Sequence, residues 1–331
     1  MKTIMLPLIL SCGCISAGLY PPLLQKGDLV ALVFPGFFLE KDKAEADAIM
    51  LEKAHWLQSK GFRVTYYPKS ITPYGYFSAP DTERAHALMS AWKNENVKAI
   101  WCFRGGYGCQ RILDLLDYEW IKTHPKVFIG MSDVTALHSA IGQKTGLVTF
   151  LSPVLNYYHE KKSEFDDAYA FNSLKQVVMN QPKGEIALPS NLKPKALRPG
   201  KAKGKLVGGN LTLIAALCGT KWQLDTKGKI LVLEEIGERL YRIDRMLWQL
   251  KECGMLDNLA GVVLGGFTDI VPHTKSTFTL DEIFKEYFGD KPYPVLMNFP
   301  TGHDSFQATL PLNYEVVLDA DNAKVFMHSS S

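Results

Sequence analysis

A serine stands between a short apolar strand and a predicted helix in the segment Ile129–Thr135. Gly130 permits a tight turn there, and such a turn lifts Ser132 out of the backbone beside a helix N-terminus, as a nucleophile requires. The segment departs from the Gly-x-Ser-x-Gly elbow, because Val134 stands at the position of the second glycine. Taken alone, it is better explained by a serine that caps the helix, with Asp133 in the first turn.

A glycine-rich turn, Arg104–Gly108, follows the predicted strand that precedes the strand of Ser132. Glycines allow backbone N–H groups to approach a ligand closely, and a serine hydrolase needs such donors for its oxyanion. A phosphate-binding turn is the alternative, since glycine-rich turns between strand and helix also hold phosphate. The sequence completes neither a Gly-x-Gly-x-x-Gly pattern nor a Walker pattern.

A carboxylate and an imidazole are the partners that a nucleophilic serine would need. Glu234 ends a strongly apolar strand, where a charge is unusual unless it is used or paired. Glu235 and Glu238 lie close by and fit surface positions equally well. His303 lies on a glycine-bearing loop, where functional side chains are common. Of the eight histidines, His273, also on a loop, is the only serious rival.

Composition places the chain among ordinary globular proteins. Its 331 residues suit two domains. A net charge of +3 spread along the chain does not indicate nucleic-acid binding, and the basic run 193–205 is interrupted by prolines and glycines, as in a solvated linker. The six cysteines show no Cys-x-x-Cys spacing, so the sequence indicates neither a zinc site nor a disulfide scaffold.

The first residues have the order of a secretory signal: Lys2, a short apolar stretch Met5–Leu10 and small residues up to Gly18. Ile9–Cys12 resembles a lipobox, in which Cys12 is lipidated after cleavage. The interpretation is an exported protein, periplasmic or anchored to the membrane as a lipoprotein. The alternative is a cytoplasmic protein with an uncleaved apolar N-terminus. No later segment has the ~20 apolar residues of a membrane span.

Strands and helices alternate after this segment, which predicts a doubly wound α/β domain. The alternation of predicted strands and helices stops from about 156 to 200, and a second domain begins near Gly204. The predicted division is a signal segment 1–22, a nucleophile domain 23–155, a connection 156–200 and a C-terminal domain 201–331. The predicted elements are strands at 28–34, 62–66, 98–103, 127–130, 229–233 and 261–267, and helices at 41–60, after Asp81 as the capping residue, around Ile112–Leu116, and at 134–143 and 239–253.

Six motifs in this order resemble the LD-carboxypeptidase family of serine peptidases, which trim bacterial cell-wall peptides. The likeness runs from about Leu23 to Val325. It implies a Rossmann-like N-terminal domain with a parallel sheet, a smaller β-rich α/β C-terminal domain, and a homodimer with the site between domains. The motifs are Gly105–Gly108, Gly130–Asp133, Gly208–Leu211, Leu233–Glu234, Tyr241–Arg245 and Gly302–His303.

The resemblance implies the catalytic triad, because Ser132, Glu234 and His303 fall on the family's triad positions. The chemistry of such an enzyme suggests further roles. The backbone N–H groups of Gly106 and Asp133 are the candidates for the oxyanion hole. An exopeptidase must also hold a free carboxylate, for which Arg104 is the candidate, and Asn210 is the candidate for holding the peptide backbone. The implied substrate is a peptidoglycan tetrapeptide ending in D-alanine, cleaved without a metal or organic cofactor.

Two other functions compete with this one. The related microcin C immunity branch cleaves aminoacyl-nucleotide analogues, and the resemblance suggests that it carries a lysine four residues after the triad glutamate. Glu238 occupies that position here and disfavours this branch. A periplasmic binding protein with two α/β lobes is the non-enzymatic alternative, but it has no use for a serine on a strand-to-helix turn paired with a remote histidine.

Overall fold

Two β-sheets organise the chain in the computed structural model, which describes residues 18–39, 43–68, 72–158, 165–272 and 278–328. The N-terminal region alternates strand and helix, as the sequence predicts. Its elements are β1 (Leu29–Val33), α1 (Lys43–Ser59), β2 (Arg63–Tyr67), α2 (Asp81–Lys93), β3 (Val97–Cys102), α3 (Tyr118–Thr123), β4 (Val127–Gly130), α4 (Thr135–Thr145) and β5 (Thr149–Leu151).

The remaining strands, apart from β12, form the second sheet, and four further helices accompany them among the described residues. They are α5 (Asp167–Val178), β6 (Gly184–Glu185), β7 (Lys195–Arg198), β8 (Lys201–Asn210), α6 (Leu211–Leu217), β9 (Ile230–Ile236), α7 (Leu240–Glu252), β10 (Gly261–Thr268), α8 (Leu280–Phe288), β11 (Val295–Met297), β12 (Leu310–Leu312), β13 (Glu315–Asp319) and β14 (Lys324–Met327).

The first sheet has the strand order β12-β5-β4-β3-β1-β2 and is parallel from β2 to β5. Its central strands are apolar and buried on both faces, as in other parallel sheets covered by helices. The chain runs from β1 to β2 on one side and returns to β3 on the other. Ligands of open α/β sheets bind at such a switch point, outside the carboxyl ends of the strands.

The second sheet has the order β6-β14-β13-β8-β9-β10-β11-β7, with a parallel centre from β8 to β11 and antiparallel flanks. Alternate side chains of β9 face opposite sides, as the pleat requires. Leu231 and Leu233 join the core under α6, α7 and α8, whereas Ile230 and Val232 belong to the core shared with the first sheet. The two halves of the chain are therefore packed together.

The segment 156–200, which the sequence indicates as a connection, is more structured than that. It contains α5, which is packed into the main core through Leu174 and Val177. It also supplies β6 and β7, the two outermost strands of the second sheet. In the opposite direction, β12 leaves the C-terminal half and pairs antiparallel with β5 of the first sheet. Strand exchange of this kind cannot be read from local periodicity.

Three local predictions are wrong in detail. The helix around Ile112 is a 3₁₀ helix, Cys109–Leu115, such as often connects longer elements. Asp81 is the first residue of α2 and not its cap, and its carboxylate forms an ion pair with Arg84. The strand after Lys229 continues to Ile236, so Glu234 and Glu235 lie inside β9.

Among the described residues, no helix combines the length and the apolar character of a membrane span.

Candidate active site

Ser132 lies in the turn between β4 and α4, and its backbone φ is 60°. That left-handed conformation costs a residue with a Cβ about 1–2 kcal/mol, and such strain persists mainly at functional sites. The capping alternative is excluded by the local geometry. The residue that caps the short 3₁₀ turn Ser132–Val134 is Met131, and no side chain caps either that turn or α4. Ser132 is half-buried and lines a cavity.

Val134 explains how the turn forms without the second glycine of the usual elbow. Its φ of −63° is ordinary for a helix, so no glycine is needed at that position. A Cβ on Gly130 would come within 2.7 Å of Val134 Cγ1. The valine side chain therefore fills the space that Gly130 leaves open, and only the first glycine of the pattern is required.

The glycine-rich turn Arg104–Gly108 packs directly against Ser132. A Cβ on Gly105 would come within 3.2 Å of Ser132 Oγ, so a larger residue there would crowd the hydroxyl. Gly106 is exposed and has a φ of 99°, which favours glycine. Among the residues that the structure describes, the backbone N–H groups of Gly106 and Asp133 have no hydrogen-bond acceptor. Both are free to donate to a bound molecule.

Asp133 ties this turn to the turn of Ser132. Its side chain is fully buried, and Oδ2 accepts a hydrogen bond from the backbone N–H of Cys109 at 2.9 Å. Burial raises the pKa of Asp133 above its ordinary value, although hydrogen bonding with Cys109 opposes the rise. The sequence predicts a role only for the backbone of Asp133, and the bracing role of its side chain gave no sequence signal.

His303 and Glu234 form a buried pair. His303 Nδ1 lies 2.7 Å from Glu234 Oε2, and the two side chains are 6% and 0% exposed. Burial alone would lower the pKa of His303, but the charge and hydrogen bond of Glu234 outweigh burial and raise it. Gly302 has a φ of 108°, and a Cβ there would come within 2.7 Å of Glu234 Cβ. Only glycine lets the loop bring His303 this close to β9.

Glu235 points away from this pair and has a different role. It is buried, contrary to the surface position that the sequence allows. Its carboxylate accepts hydrogen bonds from Asn210 Nδ2 at 3.0 Å and from the backbone N–H of Thr212 at 2.8 Å, in the first turn of α6. Asn210 Oδ1 also caps α6 by accepting the N–H of Leu213. Asn210 is thus fixed inside the fold, and the structure does not bring it to the cavity of Ser132.

A cavity of ≈590 Å³, called here the Ser132 cavity, is lined by Ser132, His303, Arg104 and Gly106. Arg104 donates one hydrogen bond, from Nη1 to Phe38 O at 2.9 Å, and forms no ion pair with a described carboxylate. The structure therefore brings together the predicted nucleophile, base and substrate-binding arginine. Glu234 lies behind His303 and not in the cavity wall.

Asn156 and Tyr157 also line the Ser132 cavity, and no sequence pattern marks them as functional. Asn156 and Tyr157 lie in a 3₁₀ turn at the start of the segment interpreted as a connection. The rings of Tyr157 and His303 are 6.3 Å apart, edge to face. Burial raises the pKa of Tyr157 to about 12, so its hydroxyl stays protonated at neutral pH.

His273, the other candidate for the catalytic base, lies outside the described residues. Among the described residues, no cluster of His, Cys, Asp and Glu is arranged to hold a metal ion.

Comparison with known proteins decides the family. The profile of the LD-carboxypeptidase N-terminal domain matches residues 30–152, and that of the C-terminal domain matches residues 203–318. The chain belongs to the LD-carboxypeptidase family. It is 35% identical over 311 residues to the "Probable murein peptide carboxypeptidase" of Bacillus subtilis, covering 93% of each chain. It is 29% identical over 304 residues to the "Murein tetrapeptide carboxypeptidase" of Pseudomonas aeruginosa, covering 89% of this chain and 94% of that one.

Solved structures of LD-carboxypeptidase relatives share the fold. The muramoyltetrapeptide carboxypeptidase from Oxalobacter formigenes superimposes with a TM-score of 0.77 at 28% identity, covering 90% of this chain and 97% of that one. The microcin C7 self-immunity protein MccF in complex with glutamyl sulfamoyl guanosine gives a TM-score of 0.83 at 24% identity, covering 94% and 98%. The predicted α/β fold is confirmed, and the chain is a member of a peptidase family.

Proposed function

We propose that the protein is a serine carboxypeptidase that hydrolyses the L,D-peptide bond before the terminal D-alanine of peptidoglycan tetrapeptides. One observation carries the proposal: a strained serine, Ser132, shares a cavity with a histidine bonded to a buried glutamate. That arrangement matches the nucleophile, base and orienting group of a catalytic triad. The names of the Bacillus and Pseudomonas relatives support the substrate class.

In the proposed reaction, His303 Nε2 takes the proton of Ser132 as Oγ attacks the carbonyl carbon. Glu234 accepts the Nδ1–H hydrogen bond, which fixes the tautomer and stabilises the imidazolium that forms. The tetrahedral oxyanion accepts hydrogen bonds from the backbone N–H groups of Gly106 and Asp133. His303 then gives the proton to the leaving amine of D-alanine. Water, deprotonated by His303, hydrolyses the acyl-enzyme and releases the tripeptide.

Arg104 is proposed to hold the free carboxylate of the terminal D-alanine. Its guanidinium lies in the wall of the Ser132 cavity and uses one N–H on Phe38 O, so other donors are left for a ligand. A charged carboxylate in a half-buried site needs such a partner. No comparable role in substrate binding is proposed for Asn210, since its amide is already bonded to Glu235 and to α6.

The two other functions receive less support. Glu238 forms an ion pair with Arg242 at 3.3 Å, so a negative charge stands where a nucleotide-cleaving relative is expected to carry a lysine. A binding protein without catalysis would gain nothing from the strain at Ser132.

Export of the protein, with lipidation at Cys12 as one form of it, is also a proposal, because residues 1–17 lie outside the described part of the chain. The homodimer stays a prediction from the family resemblance.

Stereochemistry tests the proposed substrate. Purified muropeptide with a tetrapeptide ending in D-alanine is incubated with the enzyme, and the products are followed by mass spectrometry. We expect conversion to the tripeptide with release of D-alanine, and no conversion of the matched peptide ending in L-alanine. The Ser132→Ala variant is the control for contaminating peptidases. Equal cleavage of both peptides, or cleavage of aminoacyl-adenylate analogues alone, would contradict the proposal and leave a hydrolase of another specificity.

A further inference from the structure

Tyr157 lines the Ser132 cavity, and the proposed reaction does not use it. It ends the short 3₁₀ turn Leu155–Tyr157. In this turn the backbone N–H of Asn156 donates to Phe103 O at 3.0 Å, and Arg104 follows Phe103 directly in the chain. The turn of Tyr157 is therefore fastened to the end of β3, from which Arg104 continues.

The ring of Tyr157 is held by aromatic neighbours. It lies edge to face with the His303 ring at 6.3 Å and with the Phe165 ring at 5.7 Å, measured between ring centres. The side chain is half-buried. Because a tyrosine side chain has only two rotatable torsions, ring contacts of this kind restrict the position of its hydroxyl as well.

The hydroxyl of Tyr157 is unpaired and accessible. Among the described residues it forms no hydrogen bond, whereas the hydroxyls of Tyr118 and Tyr293 donate to backbone carbonyls at 2.7 and 2.9 Å. Its oxygen also keeps accessible surface. Because burial raises the pKa of Tyr157 to about 12, the group is protonated at neutral pH and can donate to a molecule in the cavity.

Charges on two site residues reach this hydroxyl. Beyond the effect of burial, the carboxylate of Glu234 raises the pKa of Tyr157 and the guanidinium of Arg104 lowers it. Glu234 is bonded to His303, the proposed proton donor to the leaving amine. The nitrogen and the carboxylate of a terminal D-alanine are bonded to the same carbon, so the groups that serve them must lie close to one another. A donor near both His303 and Arg104 is well placed to contact this amino acid.

We propose that Tyr157 contributes to the selection of a free C-terminus by donating its hydroxyl hydrogen to the terminal carboxylate, beside Arg104. This inference rests on the proposed peptidase function. A carboxylate has about four acceptor sites on its two oxygens, so a guanidinium that binds through two N–H groups leaves room for a further donor. A hydrogen bond from O–H to a charged oxygen is among the strong ones. An amidated C-terminus offers no charged oxygen.

Steady-state kinetics of Tyr157→Phe tests the proposal, because this variant removes the hydroxyl without removing a hydrogen bond of the described fold. On the tetrapeptide ending in D-alanine we expect kcat/KM to fall by about 10–100-fold. The loss should appear mainly in KM, as for a contact made in both the ground state and the transition state. On the same peptide with an amidated C-terminus, the rate should change little. Tyr118→Phe removes a hydroxyl outside the Ser132 cavity and should leave kcat/KM unchanged.

A second measurement needs no turnover. D-Alanine, the expected product, should slow the labelling of Ser132 by a fluorophosphonate, and D-alaninamide should not. In Tyr157→Phe the unprotected labelling rate should equal that of the wild type, since the triad is intact, and about tenfold more D-alanine should be needed for the same protection. An equal loss of rate on the acid and the amide peptide, or slower unprotected labelling, would show that the hydroxyl acts on His303 and would overturn the proposal.

The two measurements separate this inference from the proposed function. Cleavage of the tetrapeptide with unchanged kcat/KM and unchanged protection in Tyr157→Phe would overturn the role of Tyr157 and keep the peptidase. Weakened protection by D-alanine in Tyr157→Phe, with no cleavage of the tetrapeptide by the wild type, would support the carboxylate contact and reject the substrate. If the wild type neither cleaves the tetrapeptide nor is protected by D-alanine, both proposals are overturned.

Discussion

The carboxylate of Asp133 accepts the backbone N–H of Cys109 at 2.9 Å and so joins the turn of Ser132 to the glycine-rich turn. These two turns follow neighbouring parallel strands, β4 and β3. Each supplies one of the unpaired N–H groups proposed for the oxyanion hole, those of Asp133 and Gly106. The spacing between the two donors therefore depends on a buried side chain that itself lies outside the Ser132 cavity.

Replacing Asp133 should thus lower the rate of the chemical step more than it weakens substrate binding. We expect Asp133→Ala to reduce kcat by roughly 10²-fold, comparable to the loss of one oxyanion donor, with KM nearly unchanged. Asp133→Asn keeps an oxygen that can accept the Cys109 N–H and should recover most of the loss. Steady-state kinetics on the tetrapeptide checks both. A rise in KM with unchanged kcat would instead place the effect on binding.

The strain at Ser132 gives a separate prediction about stability. Ser132→Ala and Ser132→Gly should both abolish turnover, because each lacks the nucleophile. Ser132→Gly should nevertheless be the more stable of the two by about 1 kcal/mol, since glycine adopts a φ of 60° without the Cβ penalty. The free energy of unfolding in urea measures the difference. Equal stabilities would mean that the turn relaxes once the hydroxyl is removed. Activity in folded Ser132→Ala would show that Ser132 is not the nucleophile.

The pH dependence follows from His303. Its pKa is raised above the ordinary value of about 6.5, and only the neutral ring can act as base. The value of kcat/KM should therefore fall as the pH decreases through this raised pKa, so the midpoint of the acid limb lies above about 6.5. Glu234→Gln removes the charge that raises the pKa and should move the midpoint to lower pH. A pH–rate profile of both proteins tests this, and an unmoved midpoint would assign the limb to another group.

Triad residues act as a unit, so their losses should not add. Glu234→Gln is expected to lower kcat by roughly 10⁴-fold and His303→Ala by roughly 10⁶-fold, and the double variant by little more than His303→Ala alone. His273→Ala, at the rival position outside the described residues, is the matched control and should keep activity. Additive losses would argue against direct cooperation of Glu234 and His303. A large loss from His273→Ala, with His303→Ala silent, would show that the base is misassigned.

Periodicity predicts four strands of the first sheet, β1 to β4, of which β1, β3 and β4 are largely apolar and buried, but it gives no prediction for the three-residue strand β5. It failed for β12, which crosses from the C-terminal half to pair with β5, since no local pattern records which sheet a short strand joins. The same limit applies to the site. Residue type and loop context indicate Ser132 and His303 from the sequence, but the neighbouring carboxylates Glu234 and Glu235 look alike there. Only the pleat of β9 separates the one that faces His303 from the one that anchors α6.

Arg104 provides the sharpest test of exopeptidase specificity. If its guanidinium holds the terminal carboxylate, Arg104→Gln should lower kcat/KM for the D-alanine-terminated tetrapeptide by about 10–100-fold, the range expected for a lost charge-assisted hydrogen bond. The matched substrate is the same peptide with an amidated C-terminus, which offers no carboxylate. Wild-type enzyme should cleave it poorly, and Arg104→Gln should change that rate little. Arg104→Lys should recover only part of the activity, because a lysine cannot form the paired hydrogen bonds of a guanidinium. An equal loss on both substrates would show that Arg104 acts by ordering the loop through Phe38 O, and not by holding the carboxylate.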